Sequence, residues 1–165
     1  MRRSALALAV ALALVPSTAS AGSGNFRTHL TGDEEVPPNE SAGQGQAIVR
    51  VNDDGTEIRY RLIASNIENV FASHIHVGAA GTNGPVVAFL FGAVPPGGGR
   101  TDGVLATGTI TDEDLVGPLA GQPLSALVEE IEAGNAYVNV HTDDGVGDAN
   151  TGPGDLPGGE IRGQL

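Results

Sequence analysis

The chain reads as an all-β protein: an antiparallel Greek-key sandwich or flattened barrel, immunoglobulin-like, with one short helix near 123–133. Three observations predict this. Apolar and polar residues alternate at period two through most of the sequence. Clusters of Gly, Pro, Asn and Asp separate the alternating runs. A single segment carries helical spacing instead.

Taken in order, the first strand is expected at 25–31. Gln46-Ala47-Ile48-Val49-Arg50-Val51 then runs into Asn52-Asp53-Asp54-Gly55, and Thr56 to Leu62 resumes the alternation, which predicts a hairpin. Further strands are expected at about 70–77, 86–91, 104–111, 135–141 and 159–164. The exception runs from Pro123 to Gly134, where Leu124, Leu127, Val128 and Ile131 fall at helical spacing between a proline start and a glycine stop. This helix is expected to plug one end of the core and to leave its acidic side solvated.

The N-terminus looks like an export signal over residues 1–21. Arg2 and Arg3 precede an uncharged Ala, Leu and Val run from Ser4 to Val15, and Ala19-Ser20-Ala21 offers small residues for cleavage. The domain would then occupy 22–165, outside the cytoplasm, either secreted or in the cell envelope. The apolar run is shorter than the roughly 20 residues of a membrane span, so none is expected after cleavage. The arginine pair leaves the general and twin-arginine export routes both open.

Composition narrows the function further. The chain has 20 acidic residues against 8 basic ones, a net charge of −12; without Arg2 and Arg3 the imbalance grows. Such a field repels nucleic acid, so no nucleic-acid partner is expected. There is no cysteine, so packing, with a bound metal as the one further aid open to it, has to hold an exported fold together without disulfides. Every basic residue is arginine.

The chemistry-bearing residues are histidines. On a strand alternate residues share a face, so in His74-Ile75-His76 the two imidazoles project together. Ala72 joins them, while Phe71, Ser73, Ile75 and Val77 are expected to face the core. In Tyr137-Val138-Asn139-Val140-His141 the valines are the core pair, which turns Tyr137, Asn139 and His141 outward. His74, His76 and His141 are therefore a candidate copper or zinc site on the outer face of the sheet, beneath loops. The alternative is a polar set hydrogen-bonded to loop backbone or to Asn139. His29, on the first strand, is a fourth candidate.

A second constellation follows His141 directly. In the acidic connection Asp143 to Asp155, the carboxylates of Asp143, Asp144 and Asp148 are interleaved with glycines and could present oxygens to calcium. The spacing is not that of an EF-hand, and a solvated loop is the competing reading. The chain lacks a G-x-S-x-G elbow, a phosphate loop and an H-E-x-x-H helix. Glu34-Glu35 and Glu129-Glu130 are neighbouring acids with no sign of a shared pocket.

Four motifs in sequence carry a family resemblance: Leu30 to Pro38; His74 to Gly78 with Asn83-Gly84-Pro85-Val86-Val87; Ile131 to Thr142; and Gly159 to Leu165. They resemble the CHRD domain, named for chordin, over about Asn25 to Leu165, and the chain reads as a single-domain exported microbial member. The resemblance implies an immunoglobulin-like fold and, in the animal protein, a module of an extracellular antagonist of growth-factor signalling. The acidic insertion between His141 and Gly159 departs from the family pattern. The H-x-H strand is also similar to copper/zinc superoxide dismutase, but that enzyme needs more histidines, an aspartate ligand and a disulfide. The expectations rank in order: a non-catalytic extracellular binding or structural module meeting an unidentified protein or surface ligand; an envelope protein binding copper or zinc; a metalloenzyme with Asp143 or Glu160 as base.

Overall fold

The computed structural model describes residues 24–165; the export signal expected at 1–21 lies outside them. All eight expected strands form. They are β1 (Gly24–Thr31), β2 (Gln44–Val51), β3 (Ile58–Glu68), β4 (Val70–Val77), β5 (Val86–Gly92), β6 (Arg100–Ile110), β7 (Ala136–Thr142) and β8 (Ile161–Gln164). β3 and β6 run longer than the alternation suggests, because bulges between Leu62/Ile63 and Ala64/Ile67 absorb interruptions that would otherwise end the pairing.

The strands join antiparallel in one sheet of order β5-β4-β7-β8-β1-β2-β3-β6. Its ends approach each other, and the Tyr60 hydroxyl on β3 donates to Leu90 O on β5 at 2.8 Å. The sheet is thus a nearly closed, flattened barrel. β8 and β1 approach closely at Gly163, where a Cβ would meet His29 O at 2.3 Å, so no larger residue fits.

The concave side is dry. Leu30, Val49, Ile58, Leu62, Ile75, Val87, Ile110, Val138, Val140 and Ile161 are all fully buried there, each at period two along its strand. The helix α1 (Ser125–Glu132) buries Leu127, Val128 and Ile131, with Leu124 just before it, into the same cluster. It stops at Gly134, whose φ of 70° allows Asn135 N–H to donate back to Glu130 O at 2.8 Å. Among the described residues no helix is long and apolar enough to cross a membrane.

Candidate metal centre

The histidines are brought together by strand register. β4 pairs with β7 so that Ala72 faces His141, His74 faces Asn139 and His76 faces Tyr137. Small Ala72 leaves His141 room to lean toward His74, its diagonal neighbour. His74 Nδ1 and His141 Nε2 lie 3.0 Å apart. One ring nitrogen from each of His74, His76 and His141 falls in a group whose members all lie within 4.8 Å of one another. His29 is not part of it: on β1 it is exposed, opposite Gln46.

Alternation correctly puts these rings outside the core, but that outer face is not open. Every residue of β7 is buried, including Tyr137, Asn139 and His141, and His76 is buried with them. Three connections form a roof. Asn83 from the β4–β5 loop donates to Val36 O at 2.7 Å, tying that loop to the segment after β1. Asn39 of that segment donates to Glu160 O at 3.0 Å, reaching the connection before β8. Phe71 departs from the expected core side: a bulge between Val70 and Ala72 takes it out of alternation, and its ring lies 6.1 Å from that of His141.

Under the roof two tautomers are set by backbone carbonyls. His76 Nδ1 lies 2.8 Å from Gly84 O and His141 Nδ1 2.9 Å from Pro157 O. Each neutral ring donates through Nδ1 and keeps its lone pair on Nε2, which is how second-shell acceptors orient histidine ligands. The proton between His74 and His141 then belongs to His74 Nδ1. His76 Nε2 and Asn139 Oδ1 are both buried and neither makes a hydrogen bond of ordinary geometry, although the Asn139 side chain lies close enough to the imidazole to act on its protonation.

Burial also keeps the imidazoles neutral. It pushes His74 down to about 4, with the neighbouring His141 and His76 adding to the effect. It pushes His141 down to about 4 as well, against the pull of Pro157 O. His76 is lowered first by burial, opposed by Gly84 O and by the side chain of Asn139, with the charge of Arg162 adding a smaller push down. Neutral imidazole is the form that ligates a metal.

Aromatic and cationic groups complete the walls. Tyr137 stacks on His76 at 4.8 Å between centroids, and the Arg162 guanidinium carbon lies 3.4 Å from the Tyr137 centroid. Arg162, on β8 opposite Asn139, is itself buried and donates to Thr82 O at 2.9 Å and Asn83 Oδ1 at 3.2 Å. Phe89 stands edge-on to His74 at 4.7 Å and is 51 % exposed, so the site approaches solvent on its β5 side.

Sequence reasoning missed Glu35 and Arg162. Glu35, read in the sequence only as a neighbour of Glu34 with no sign of a shared pocket, is buried; burial raises its carboxyl to about 7 although Arg162 pulls the other way. No local signal marked Arg162, because a charged residue on the outward register of a short strand reads as solvated. Glu160 is a hub: its carboxylate accepts from Ser41 Oγ at 2.6 Å, Gly154 N at 2.7 Å and Thr142 Oγ1. With those three donors in place it holds the roof's edge to β7.

In the acidic connection the grouped carboxylates are Asp143, Asp144 and Asp155; Asp148 is exposed and not among them. Each of the three accepts from nearby donors, Gly145 N at 2.7 Å, Val146 N at 2.8 Å and Thr151 Oγ1 at 2.7 Å respectively. The Thr151 hydroxyl and amide hold the Asp155 carboxyl below its ordinary range.

Compared with known proteins, residues 26–165 match the family model of the CHRD domain. No curated protein and no solved structure matches the chain.

Proposed function

The chain belongs to the CHRD domain family, and from that premise we propose that it is an exported, non-catalytic binding module that holds one Cu²⁺ or Zn²⁺ ion on His74, His76 and His141. Its export rests on the signal-like pattern of residues 1–21. The observation that carries the metal reading is the buried, partnerless Nε2 of His76, with its tautomer set by Gly84 O, inside a three-histidine group. A buried lone pair without a donor is costly unless something electropositive meets it.

The donor set fits the group. Three neutral nitrogens suit zinc or copper and leave a fourth position for water or a ligand atom. A tetrahedral ion with bonds of about 2.0–2.1 Å sets nitrogen separations of roughly 3.4 Å; the three ring nitrogens lie within 4.8 Å of one another, and an ion would replace the hydrogen bond between His74 Nδ1 and His141 Nε2, with His74 carrying its proton on Nε2 instead. Glu160 has its oxygens engaged by Ser41, Gly154 and Thr142, which favours binding over hydrolysis.

Elemental analysis of tag-free protein tests this. About one equivalent of copper or zinc is expected in the wild type and none in His74→Ala/His76→Ala, with the metal-stripped wild type melting higher once Zn²⁺ or Cu²⁺ is restored. A stripped wild type that takes up neither ion and keeps its melting temperature overturns the proposal. A rise with Ca²⁺ alone would move the site to Asp143, Asp144 and Asp155.

A further inference from the structure

The surface of β1, β2 and β3 collects the arginines. Outside residues 1–21 the chain has six: Arg27, Arg50, Arg59, Arg61, Arg100 and Arg162. Arg162 is buried under the roof and Arg100 is bound to Asp102 at 2.6 Å. The other four are exposed and lie on one face. Pairing sets Asn25, Arg50 and Arg59 in one row across the three strands, and Arg27, Ile48 and Arg61 in the next. His29, Gln46 and Ile63 make the third row, and Thr107 and Thr109 of β6 extend the first two.

No carboxylate occupies these rows. Among the described residues the only ion pair made by the four is Arg59 with Glu57, at 3.4 Å from the end of β3, with the Arg59 side chain 74 % exposed. In a chain of net charge −12 this is a concentrated reversal of sign. It also opposes stability: Arg50 and Arg59 are directly opposite on neighbouring strands, and like charges so placed repel. A fold that keeps this repulsion on a solvated face, eased only by the exposed Glu57 beside Arg59, has a reason other than folding for those residues.

The geometry points to a binding surface for a carboxylate-bearing acidic polysaccharide, running across β1–β2–β3. Neighbouring strands are about 4.8 Å apart and alternate residues along a strand about 6.8 Å apart, so the register sets the four arginines at regular spacings that suit a chain of spaced anions. Arginine's planar fork takes carboxylates two-point. Gln44, Gln46, Thr107 and Thr109 around the grid can exchange hydrogen bonds with sugar hydroxyls. Nucleic acid fits less well: the rows hold no aromatic ring on which a base could stack. The surface is independent of the histidine site, which occupies β4 and β7.

Affinity electrophoresis of the full chain at low salt, in gels cast with polygalacturonate, dextran sulfate, neutral dextran or a DNA duplex, tests the proposal. Retardation by polygalacturonate and not by dextran is expected, weakening at least tenfold in Arg50→Gln/Arg59→Gln/Arg61→Gln, which should melt no lower than wild type. The proposal is overturned if that variant is folded and binds as wild type does, if polygalacturonate fails to retard the wild type, or if DNA or dextran sulfate alone retards it. Should the triple variant misfold, Arg27→Gln with Arg61→Gln, which leaves both arginines of the opposed pair and the Arg59–Glu57 ion pair in place, reads the same loss.

Discussion

Two outer faces of one barrel present the same alternation and opposite physics. On β1, β2 and β3 the outward arginines are solvated and charged, and no part of the described residues covers them. On β4, β7 and β8 the outward His76, Tyr137, Asn139, His141 and Arg162 are buried beneath connections. The strand pattern tells which side chains share a face. What happens to that face depends on the loops, and the roof is what converts surface histidines into neutral, oriented donors.

The roof's dependence on Glu160 gives the largest expected effect. Glu160→Ala strands the hydroxyls of Ser41 and Thr142 and the Gly154 amide in a buried setting, at a cost of about 3–5 kcal/mol. Urea titration should show the midpoint falling accordingly, and metal uptake should fall with it because the acceptor Pro157 O lies on the same connection. A loss below about 1 kcal/mol would mean that the roof stands without its hub. The same kind of truncation on the bare face should cost almost nothing.

This contrast also marks how far the sequence could be read. Eight strands, the helix and the pairing of His74 with His76 follow from short-range periodicity, which is legible because each core position announces itself locally. The convergence of His141 on them needed β4 to pair with β7, a contact between residues 67 positions apart. Alternation could place all three on outward faces, and only the β4–β7 register brings them together. Burial of Glu35 and Arg162 was illegible, since both look like surface charges and only the meeting of three loops takes them from water. Phe71 misled for a local reason: one bulge shifts a side chain to the other face.

Protons should sharpen the comparison next. In metal-free protein the folded-state values of His74 and His141, about 4 against 6.5, lie below those of the unfolded chain. Between those values the unfolded chain holds more protons, so stability is full above about pH 6.5 and drains as pH falls toward 4. Glu35 acts oppositely, because its carboxyl is raised to about 7 from 4.5. Its contribution is present below pH 4.5 and is lost as pH rises through 7. Glu35→Gln should therefore steepen the rise of stability with pH between 4.5 and 6.5 by up to one proton, about 1.4 kcal/mol per pH unit. Urea midpoints measured across that range check it; an unchanged slope would mean that Glu35 ionises in the fold as it does in water.

The smallest effect belongs to the bare face and is the most diagnostic of its purpose. Arg50 and Arg59 oppose each other across β2 and β3, so a double-mutant cycle through Arg50→Gln, Arg59→Gln and the pair should return a repulsive coupling of about 0.2–1 kcal/mol. Screening should shrink it as salt rises. Each single change should leave the fold as stable or slightly more so, since removing one charge relieves the other. A favourable coupling would mean that the two guanidiniums stack or share an acid, and that their opposition reflects folding. A repulsive one leaves the sheet carrying a small, persistent cost on its exposed side, of the kind that is kept when a partner of opposite charge removes it on binding.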